Sequence, residues 1–222
     1  MKKVGNFICI KQLGQGQFGT VYKATKEGDP PNKFYAVKTI HRSKIDNRPK
    51  ILELFETEKE VMATINHPNI LHLHEYLVSK KSHYLIVDYC NNGDLANWVY
   101  KKSRLSEEEA IYFLKQIMNG FEVLHQYNYM HRDFKLANVF LHDDNVVIGD
   151  FGFAKSYDQK AMTKLGTPMT MAPEIRFDEV GSAYDNKCDL WSIGVCFYEM
   201  LYGIVPFRGV SSKSELEASS GE

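Results

Sequence analysis

Two short segments carry the side chains with the clearest chemical potential. Residues 131–138 read His-Arg-Asp-Phe-Lys-Leu-Ala-Asn, and residues 150–152 read Asp-Phe-Gly. Within twenty residues they place three oxygen ligands or bases and one cation: Asp133, Asn138, Asp150 and Lys135. Carboxylate and amide oxygens can hold Mg²⁺, a carboxylate can accept the proton of an attacking hydroxyl, and a lysine can stabilise a phosphoryl group in transfer. Together the two segments indicate metal-assisted phosphoryl transfer.

A glycine-rich loop near the N-terminus offers a place for phosphates. It reads Gly-Gln-Gly-Gln-Phe-Gly-Thr-Val over residues 14–21. The same glycine spacing occurs in dinucleotide-binding folds, where the loop leads from a strand into a helix and an acidic residue follows about 20 positions later. Residues 20–25 are instead rich in β-branched and aromatic types, so we expect the loop to join two strands. Glycines there let the backbone close over phosphates without Cβ clashes.

A lysine and a glutamate twenty residues apart form a third candidate group. Ala36 and Lys38 lie two apart in a β-favouring run, so they share one face of a strand. In residues 51–65, Glu58 falls on the apolar stripe of a helical repeat. A buried carboxylate is costly unless it is paired. Glu58 therefore lies either at a helix edge in water or in an ion pair with a lysine of the sheet, and Lys38 is the candidate partner.

These groups belong to an ordered series of strands and helices. Short β-favouring runs broken by Gly and Pro predict strands over residues 7–13, 20–26, 34–40, 70–78 and 83–88. Apolar periodicity predicts helices over residues 51–65, over 95–101, after the Ser106–Glu109 capping box, and near 186–202. A short strand pair, 139–141 and 146–149, is expected between the two chemical segments. The predicted fold class is α+β.

Composition argues against several classes of protein. The 222 residues suffice for one large domain or two small lobes, and the net charge of −1, from 27 basic and 28 acidic residues, argues against a nucleic-acid partner. Four cysteines without a Cys-x-x-Cys pair indicate reduced thiols and a cytoplasmic protein. The N-terminus lacks a signal-peptide pattern. The apolar stretch 190–207 contains Glu199 and Pro206, which favours a buried helix over a transmembrane segment.

Nine motifs in a fixed order make the chain resemble the eukaryotic protein kinases. They are Gly14 to Val21, Ala36-Val-Lys38, Glu58, His67-Pro-Asn-Ile70, His131 to Asn138, Asp150-Phe-Gly152, Gly166-Thr-Pro168, Ala172-Pro-Glu174 and Asp189-Leu-Trp-Ser192. The resemblance runs from about Phe7 to Phe207. It implies a bilobal fold: a small antiparallel sheet with one helix over residues 1–88, and a mainly helical lobe, incomplete, over 89–207. Residues 208–222 are expected to form a disordered polar tail.

The resemblance also implies a role for each motif residue. Asp133 would accept the proton of the substrate hydroxyl, Lys135 would stabilise the γ-phosphoryl group, and Lys38, positioned by Glu58, would hold the α- and β-phosphates of ATP. Asn138 and Asp150 would bind Mg²⁺. The remaining nucleotide contacts would come from Leu13, Gly14, Gly16, Gly19, Val21, Ala36, Val87, Asp88, Cys90 and Phe140. Leu73, Met62, Phe151 and His131 would stack as an internal spine. Phe140 departs from the family's usual leucine.

Further residues suggest acceptor class and regulation. Lys135 with Gly166 and Thr167 resembles the serine/threonine kinases, and Thr167 is expected to contact Asp133. Arg132 would bind a phosphate on Thr163, placed there by an activating kinase or by autophosphorylation in trans. The alternative is that Thr163 is an unmodified loop threonine. Over 87–95 and 150–155 the chain resembles the unc-51-like, autophagy-initiating kinases, although similar stretches recur in calcium/calmodulin-dependent kinases.

The end of the chain raises an alternative function. Kinase lobes of this family continue through more helices after the one that contains Trp191, whereas only fifteen residues follow Phe207. The chain would then be a fragment, an early-terminated product, or a domain completed by a partner. The leading expectation is a protein kinase that uses Mg²⁺ and ATP to modify Ser/Thr of protein substrates. The rival is a catalytically impaired kinase fold that acts as a binding scaffold.

Overall fold

A six-stranded antiparallel sheet forms the first part of the molecule. The computed structural model describes residues 2–16, 19–156, 167–177, 185–210, 215, 216 and 218. The strands are β1 (Lys2–Val4), β2 (Phe7–Gln15), β3 (Gly19–Lys26), β4 (Tyr35–His41), β5 (Leu73–Val78) and β6 (Ser82–Asp88), in the spatial order β1-β2-β3-β4-β6-β5. The glycine-rich loop joins β2 to β3, so it connects two strands as predicted.

Two helices lie between β4 and β5. Helix α1 (Arg42–Ile45) is a single turn, and α2 (Pro49–Thr64) begins with a proline in its first turn, where the missing N–H costs nothing. The buried face of α2 carries Phe55, Glu58, Val61 and Met62. This face packs against the sheet, and Phe55 and Met62 belong to the main hydrophobic core.

The second part of the molecule is mainly helical. Its helices are α3 (Leu95–Lys102), α4 (Glu107–Gln126), α5 (Pro173–Arg176) and α6 (Lys187–Tyr202). Asp94 caps α3 by accepting from the Asn97 N–H at 2.8 Å. The predicted capping box opens α4, with Ser106 and Glu109 each bonded to the other's main chain. Four short strands follow, β7 (Tyr129–Met130), β8 (Val139–His142), β9 (Asn145–Ile148) and β10 (Lys155–Ser156), paired as β7–β10 and β8–β9.

One hydrophobic core joins the two parts. It runs from Leu85 in the sheet through Phe134 and Phe151 to Cys196 and Met200 on α6. A parallel bridge from Ile70, just before β5, to Ile148 ties the first part to β9. The hydrogen bond from the Asn92 N–H to Leu141 O, at 3.0 Å, ties the segment after β6 to β8. The predicted α+β class is confirmed, with a sheet part followed by a mainly helical part. The short elements β1, α1, β7, β10 and α5 were not predicted from the sequence.

Helix α6 combines a buried and an open face. Cys188, Asp189 and Cys196 are buried, whereas Leu190 and Tyr202 are 49% and 57% exposed. Among the described residues, no helix combines the length and apolarity needed to cross a bilayer. Within the tail, Glu215 and Leu216 are helical, and the Leu216 side chain is 6% exposed.

Replacing two glycines of the α6 region by alanine should change the free energy of unfolding in opposite directions. Gly203 has φ of +73°, and a Cβ there would lie 1.9 Å from the Ser103 carbonyl oxygen. We expect Gly203→Ala to lower the free energy of unfolding by about 2–4 kcal/mol, because it adds left-handed strain and a backbone clash. The matched control is Gly194→Ala in the same helix, where a Cβ meets nothing within 4 Å. That change should stabilise by up to about 1 kcal/mol, and urea unfolding of both variants measures the difference. Equal changes in unfolding free energy for the two variants would contradict the close approach of Gly203 to the Ser103 carbonyl oxygen.

Candidate functional site

A cavity of about 560 Å³ opens between the sheet and the helical part. This volume suits a drug-sized or nucleotide-sized ligand. Its lining contains thirteen of the residues singled out from the sequence: Leu13, Gly14, Val21, Ala36, Lys38, Glu58, Met62, Val87, Asp88, Cys90, Asn138, Phe140 and Asp150. Gly16 and Gly19 lie outside the lining, although the Gly16 N–H donates to Gly19 O at 2.8 Å and closes the loop at its tip.

The strand register explains why the apolar walls of the cavity meet. Val21 on β3 lies opposite Lys38 on β4, and Ala36 on β4 lies opposite Val87 on β6. Phe140 on β8 approaches from the other side of the cavity, because β8 is bridged to the chain at Asp94. These apolar side chains border a slot that could hold a planar ring. Burial raises the pKa of the Cys90 thiol to about 12, so Cys90 is a wall of the slot and not a nucleophile.

Lys38 and Glu58 form an ion pair at the inner end of the cavity. The Lys38 Nζ lies 2.6 Å from the Glu58 Oε1, and the two side chains are 34% and 9% exposed. Glu58 therefore does not face water from a helix edge, and the ion-pair alternative is the one observed. Burial lowers the pKa of Lys38, but the attraction of Glu58 and Asp150 outweighs burial and holds that pKa above its usual range. Lys38 thus stays a cation at the point where phosphates would lie.

A second polar network surrounds Asp133. Lys135 Nζ donates to Asp133 Oδ2 at 2.8 Å and to Thr167 Oγ1 at 2.8 Å, and the Thr167 hydroxyl donates to Asp133 Oδ1 at 2.7 Å. The Asp133 side chain is 3% exposed. Both of its oxygens accept hydrogen bonds, one of them from a cation, so the carboxylate is held in one orientation. Such a group can orient a hydroxyl and receive its proton.

Asn138 and Asp150 present the oxygen donors that suit Mg²⁺. Asn138 lies in a 3₁₀ turn (Leu136–Asn138), and its Nδ2 donates to Asp133 O at 2.9 Å. Its amide oxygen has no hydrogen-bond partner among the described residues. Asp150 adopts a left-handed backbone, with φ of 61°, and its carboxylate also borders the cavity. A carboxylate and an amide oxygen match the preference of Mg²⁺ for hard oxygen ligands completed by water and phosphate.

Asp189 on α6 anchors the segment that carries Asp133. Its buried carboxylate accepts from the main-chain N–H groups of His131 and Arg132, both at 2.9 Å. Arg132 has φ of +66°, a conformation that non-glycine residues adopt only when the surroundings hold it. Burial raises the pKa of the Asp189 carboxyl, while His131 and the two N–H groups oppose the rise. The sequence marked Asp189 only as part of a motif and gave it no role.

His131 continues this anchoring toward Asp150. Its Nε2 donates to Gly149 O at 3.1 Å, and its Nδ1 accepts from the Asp133 N–H at 3.3 Å. The ring lies 5.3 Å from the ring of Phe151, centroid to centroid. Met62, Leu73 and Phe151 belong to the same buried core. The four predicted spine residues, Leu73, Met62, Phe151 and His131, are all buried.

Of the three predicted regulatory residues, Arg132 and Thr167 lie within the part of the chain that the structure describes. Arg132 is buried, and its Nε donates to Phe153 O at 2.6 Å, at the start of the loop that follows Asp150. Thr163 and Gly166 lie outside the described residues. The cavity also has lining residues that the sequence did not single out as contacts, among them Leu71, Tyr89 and Asp94. Tyr89 adjoins predicted contacts, but nothing in the sequence marks Leu71.

Comparison with known proteins gives a family match along nearly the whole chain. The family described as "Protein kinase domain" matches residues 7–221. The chain is 37% identical over 215 residues to serine/threonine-protein kinase atg1 of Dictyostelium discoideum, covering 91% of this chain and 31% of that protein. It is also 37% identical over 211 residues to calcium-dependent protein kinase 3 of Plasmodium yoelii yoelii, covering 92% and 37%.

A human relative is almost as similar. NUAK family SNF1-like kinase 1 of Homo sapiens is 34% identical over 215 residues, which cover 95% of this chain and 32% of that protein. The chain thus spans about a third of the length of these curated relatives.

The Lys38–Glu58 pair predicts a stabilisation that persists at alkaline pH. Because the pKa of Lys38 is raised, the cationic form is present below the ordinary lysine value and is lost only as pH rises through the higher folded value. We expect Glu58→Gln to cost about 1–3 kcal/mol of unfolding free energy, and this cost should stay constant between about pH 7 and pH 9. Urea unfolding at each pH measures it. The exposed Lys3–Glu27 pair supplies the control, since Glu27→Gln should cost less than about 1 kcal/mol. A cost for Glu58→Gln that vanishes by about pH 9 would contradict the raised pKa.

Because the Asp189 carboxylate accepts two main-chain hydrogen bonds, we expect asparagine at this position to give a less stable protein. In Asp189→Asn one main-chain N–H would face an amide NH₂ group, so we expect unfolding free energy to fall by about 1–3 kcal/mol. Asp185→Asn is the matched control, because Asp185 is exposed near the start of the same helix. Denaturant unfolding compares the two variants. If Asp189→Asn is as stable as the control, the two hydrogen bonds do not hold the segment.

Proposed function

Because the chain belongs to the protein kinase family, we propose that it transfers the γ-phosphoryl group of ATP to Ser or Thr hydroxyls of protein substrates. One observation carries the proposal. The cation Lys38 lines the same cavity as the oxygen donors Asn138 and Asp150. The Asn138 side chain donates to the main-chain oxygen of Asp133, so the oriented carboxylate of Asp133 belongs to the segment that borders this cavity. Phosphoryl transfer depends mainly on positioning and charge stabilisation, and these residues supply both.

The cavity gives ATP a defined place. The adenine ring would lie in the slot between Val21 and Ala36 on one side and Phe140 on the other. The main chain at Asp88–Cys90 borders the same slot and would offer hydrogen bonds to the base. Lys38 would then hold the α- and β-phosphates. The ion pair with Glu58 supports this role, because it fixes the direction of the lysine side chain.

The acceptor hydroxyl would approach Asp133. The two hydrogen bonds from Lys135 and Thr167 would orient the carboxylate for a hydroxyl. Lys135 lies close enough to that hydroxyl's site to stabilise charge on the phosphoryl group. Asn138 and Asp150 would hold Mg²⁺, which when bound neutralises the negative charge of the phosphates. Contact between Lys135 and Thr167 supports Ser/Thr as acceptors, as do relatives that are named serine/threonine-protein kinases.

The proposal also covers the regulation and the cellular location of the protein. We place activation at Thr163, by another kinase or by autophosphorylation in trans, because Arg132 lies at the start of the same loop. We assign the protein to the cytoplasm, since all four cysteines are free thiols. Relatives named atg1, ATG1c and ATG1a support the unc-51-like assignment. Calcium-dependent protein kinase 3 and atg1 are each 37% identical to the chain. The proposal therefore names Ser/Thr of proteins as the acceptor class and no single protein substrate.

A kinase assay with matched variants tests the proposal. Purified protein with Mg²⁺ and radiolabelled ATP should label a generic basic protein on Ser or Thr. We expect Lys38→Met, Asp133→Asn and Asp150→Asn each to lower turnover by about 100-fold or more. The exposed controls Lys11→Met and Asp144→Asn should keep wild-type turnover. Mass spectrometry of the same reaction should find phosphate on Thr163, and an unmodified loop at full activity would remove that site.

The outcomes separate the enzyme from a scaffold. Equal labelling by the wild type and the three site variants would reject the assignment of the catalytic groups. An inactive protein whose melting temperature still rises with Mg·ATP would instead be a nucleotide-binding module of the same fold. A protein that shows no labelling and no rise in melting temperature with Mg·ATP would reject both the transferase activity and the nucleotide site.

A further inference from the structure

We propose that Phe140 and Gly149 act as a matched pair that sets the depth of the base slot. This inference rests on the proposed function, since it concerns the nucleotide that the cavity would hold. Phe140 is the specificity-determining contact at the floor of the slot. Gly149, the residue before Asp150, is a positioning residue that acts through the Phe140 ring. An aromatic floor is possible here only because position 149 carries no side chain.

The contact distances at Gly149 carry this inference. A Cβ at Gly149 would lie 2.9 Å from Phe140 Cε2 and 3.3 Å from Cδ2 of the same ring. It would also lie 3.1 Å from Leu71 Cδ2. Carbon atoms pack at about 3.5–4.0 Å, so a methyl group at position 149 cannot coexist with the ring in its present place.

The main chain cannot move to relieve such a contact. The Gly149 N–H donates to Asn138 O at 2.9 Å, and Gly149 O accepts from His131 Nε2 at 3.1 Å. Gly149 is therefore held on both sides by the segment that carries Asp133. A shift of Gly149 would also disturb Asp150, its neighbour.

The backbone of Phe140 is equally fixed. Phe140 pairs with Val147 on β9, and its other edge is bridged to Asp94. The next residue, Leu141, donates its N–H to Gly93 O at 2.8 Å. Relief must therefore come from the Phe140 side chain. Leu71 also lines the cavity, but it is 9% exposed and belongs to the buried core. Phe140 is only partly buried, and its ring carbon makes the shorter contact, at 2.9 Å. The displaced ring would move into the slot.

The consequence is a coupling between two positions that are not adjacent in the sequence. A methyl group at 149 narrows the slot by pushing the ring into it, so a flat base binds less well. A smaller floor residue removes the atom that the methyl group would meet. The effect of Gly149→Ala should therefore depend on Phe140, which a general loosening of the Asp150 segment would not do.

A double-mutant cycle with nucleotide binding as the readout tests the pair. Wild type, Gly149→Ala, Phe140→Leu and the double variant are compared by calorimetric titration with Mg·ATP, alongside the kinase assay. We expect Gly149→Ala to weaken binding and raise the KM for ATP by about tenfold, with kcat changed little. In the Phe140→Leu background the same change should weaken binding by less than about threefold.

Each outcome decides the proposal. If Gly149→Ala binds Mg·ATP as tightly as the wild type, the proposal is overturned. It is also overturned if the double variant binds Mg·ATP no more tightly than Gly149→Ala does. If Gly149→Ala alone fails to fold, a folded double variant that binds ATP supports the ring-to-methyl contact, and an unfolded double variant overturns it. Wild type that binds no Mg·ATP would reject the proposed nucleotide site itself, and that failure is distinct from a failed cycle.

Discussion

The buried carboxylate of Asp189 is the constraint on which the site depends. It lies on α6, in the core of the helical part, and accepts two main-chain hydrogen bonds from His131 and Arg132. A buried carboxylate is unfavourable by itself, as the raised pKa of Asp189 reflects. The two N–H donors offset that cost and at the same time hold Arg132 in the left-handed region. The residue that follows this turn, Asp133, contacts Lys135 and Thr167.

The same constraint reaches the metal-binding segment through His131. Its ring donates to Gly149 O and packs beside Phe151, so the residues on both sides of Asp150 are tied to the Asp133 segment. On the far side of the cavity, the Lys38–Glu58 pair links the sheet to α2. One continuous core joins these parts, which is why groups from β4, the 131–138 segment and the 150–152 segment face a single cavity.

Much of this architecture was predictable from local patterns. The strands, the long helices and the Ser106 capping box follow from periodicity and cap chemistry, which act over a few residues. The short elements β1, α1, β7, β10 and α5 were missed, because two to four residues are too few to show a period. Periodicity placed Glu58 on the apolar face of a helix but left open whether it faces water or pairs with Lys38, since a pairing between β4 and α2 is a tertiary contact.

The sequence by itself determined which chemical groups are present, because residue types and spacing fix the available carboxylates, amides and cations. It also determined the fold class and the order of the motifs. Only the tertiary structure decided which groups meet. The kinase resemblance anticipated the contact of Thr167 with Asp133, but nothing in the sequence gave Asp189 a partner, and it reaches His131 across 58 residues of chain. The contact between Phe140 and Gly149 likewise depends on how β8 lies against the chain before Asp150. Such contacts arise from long-range packing and register, which no local pattern encodes.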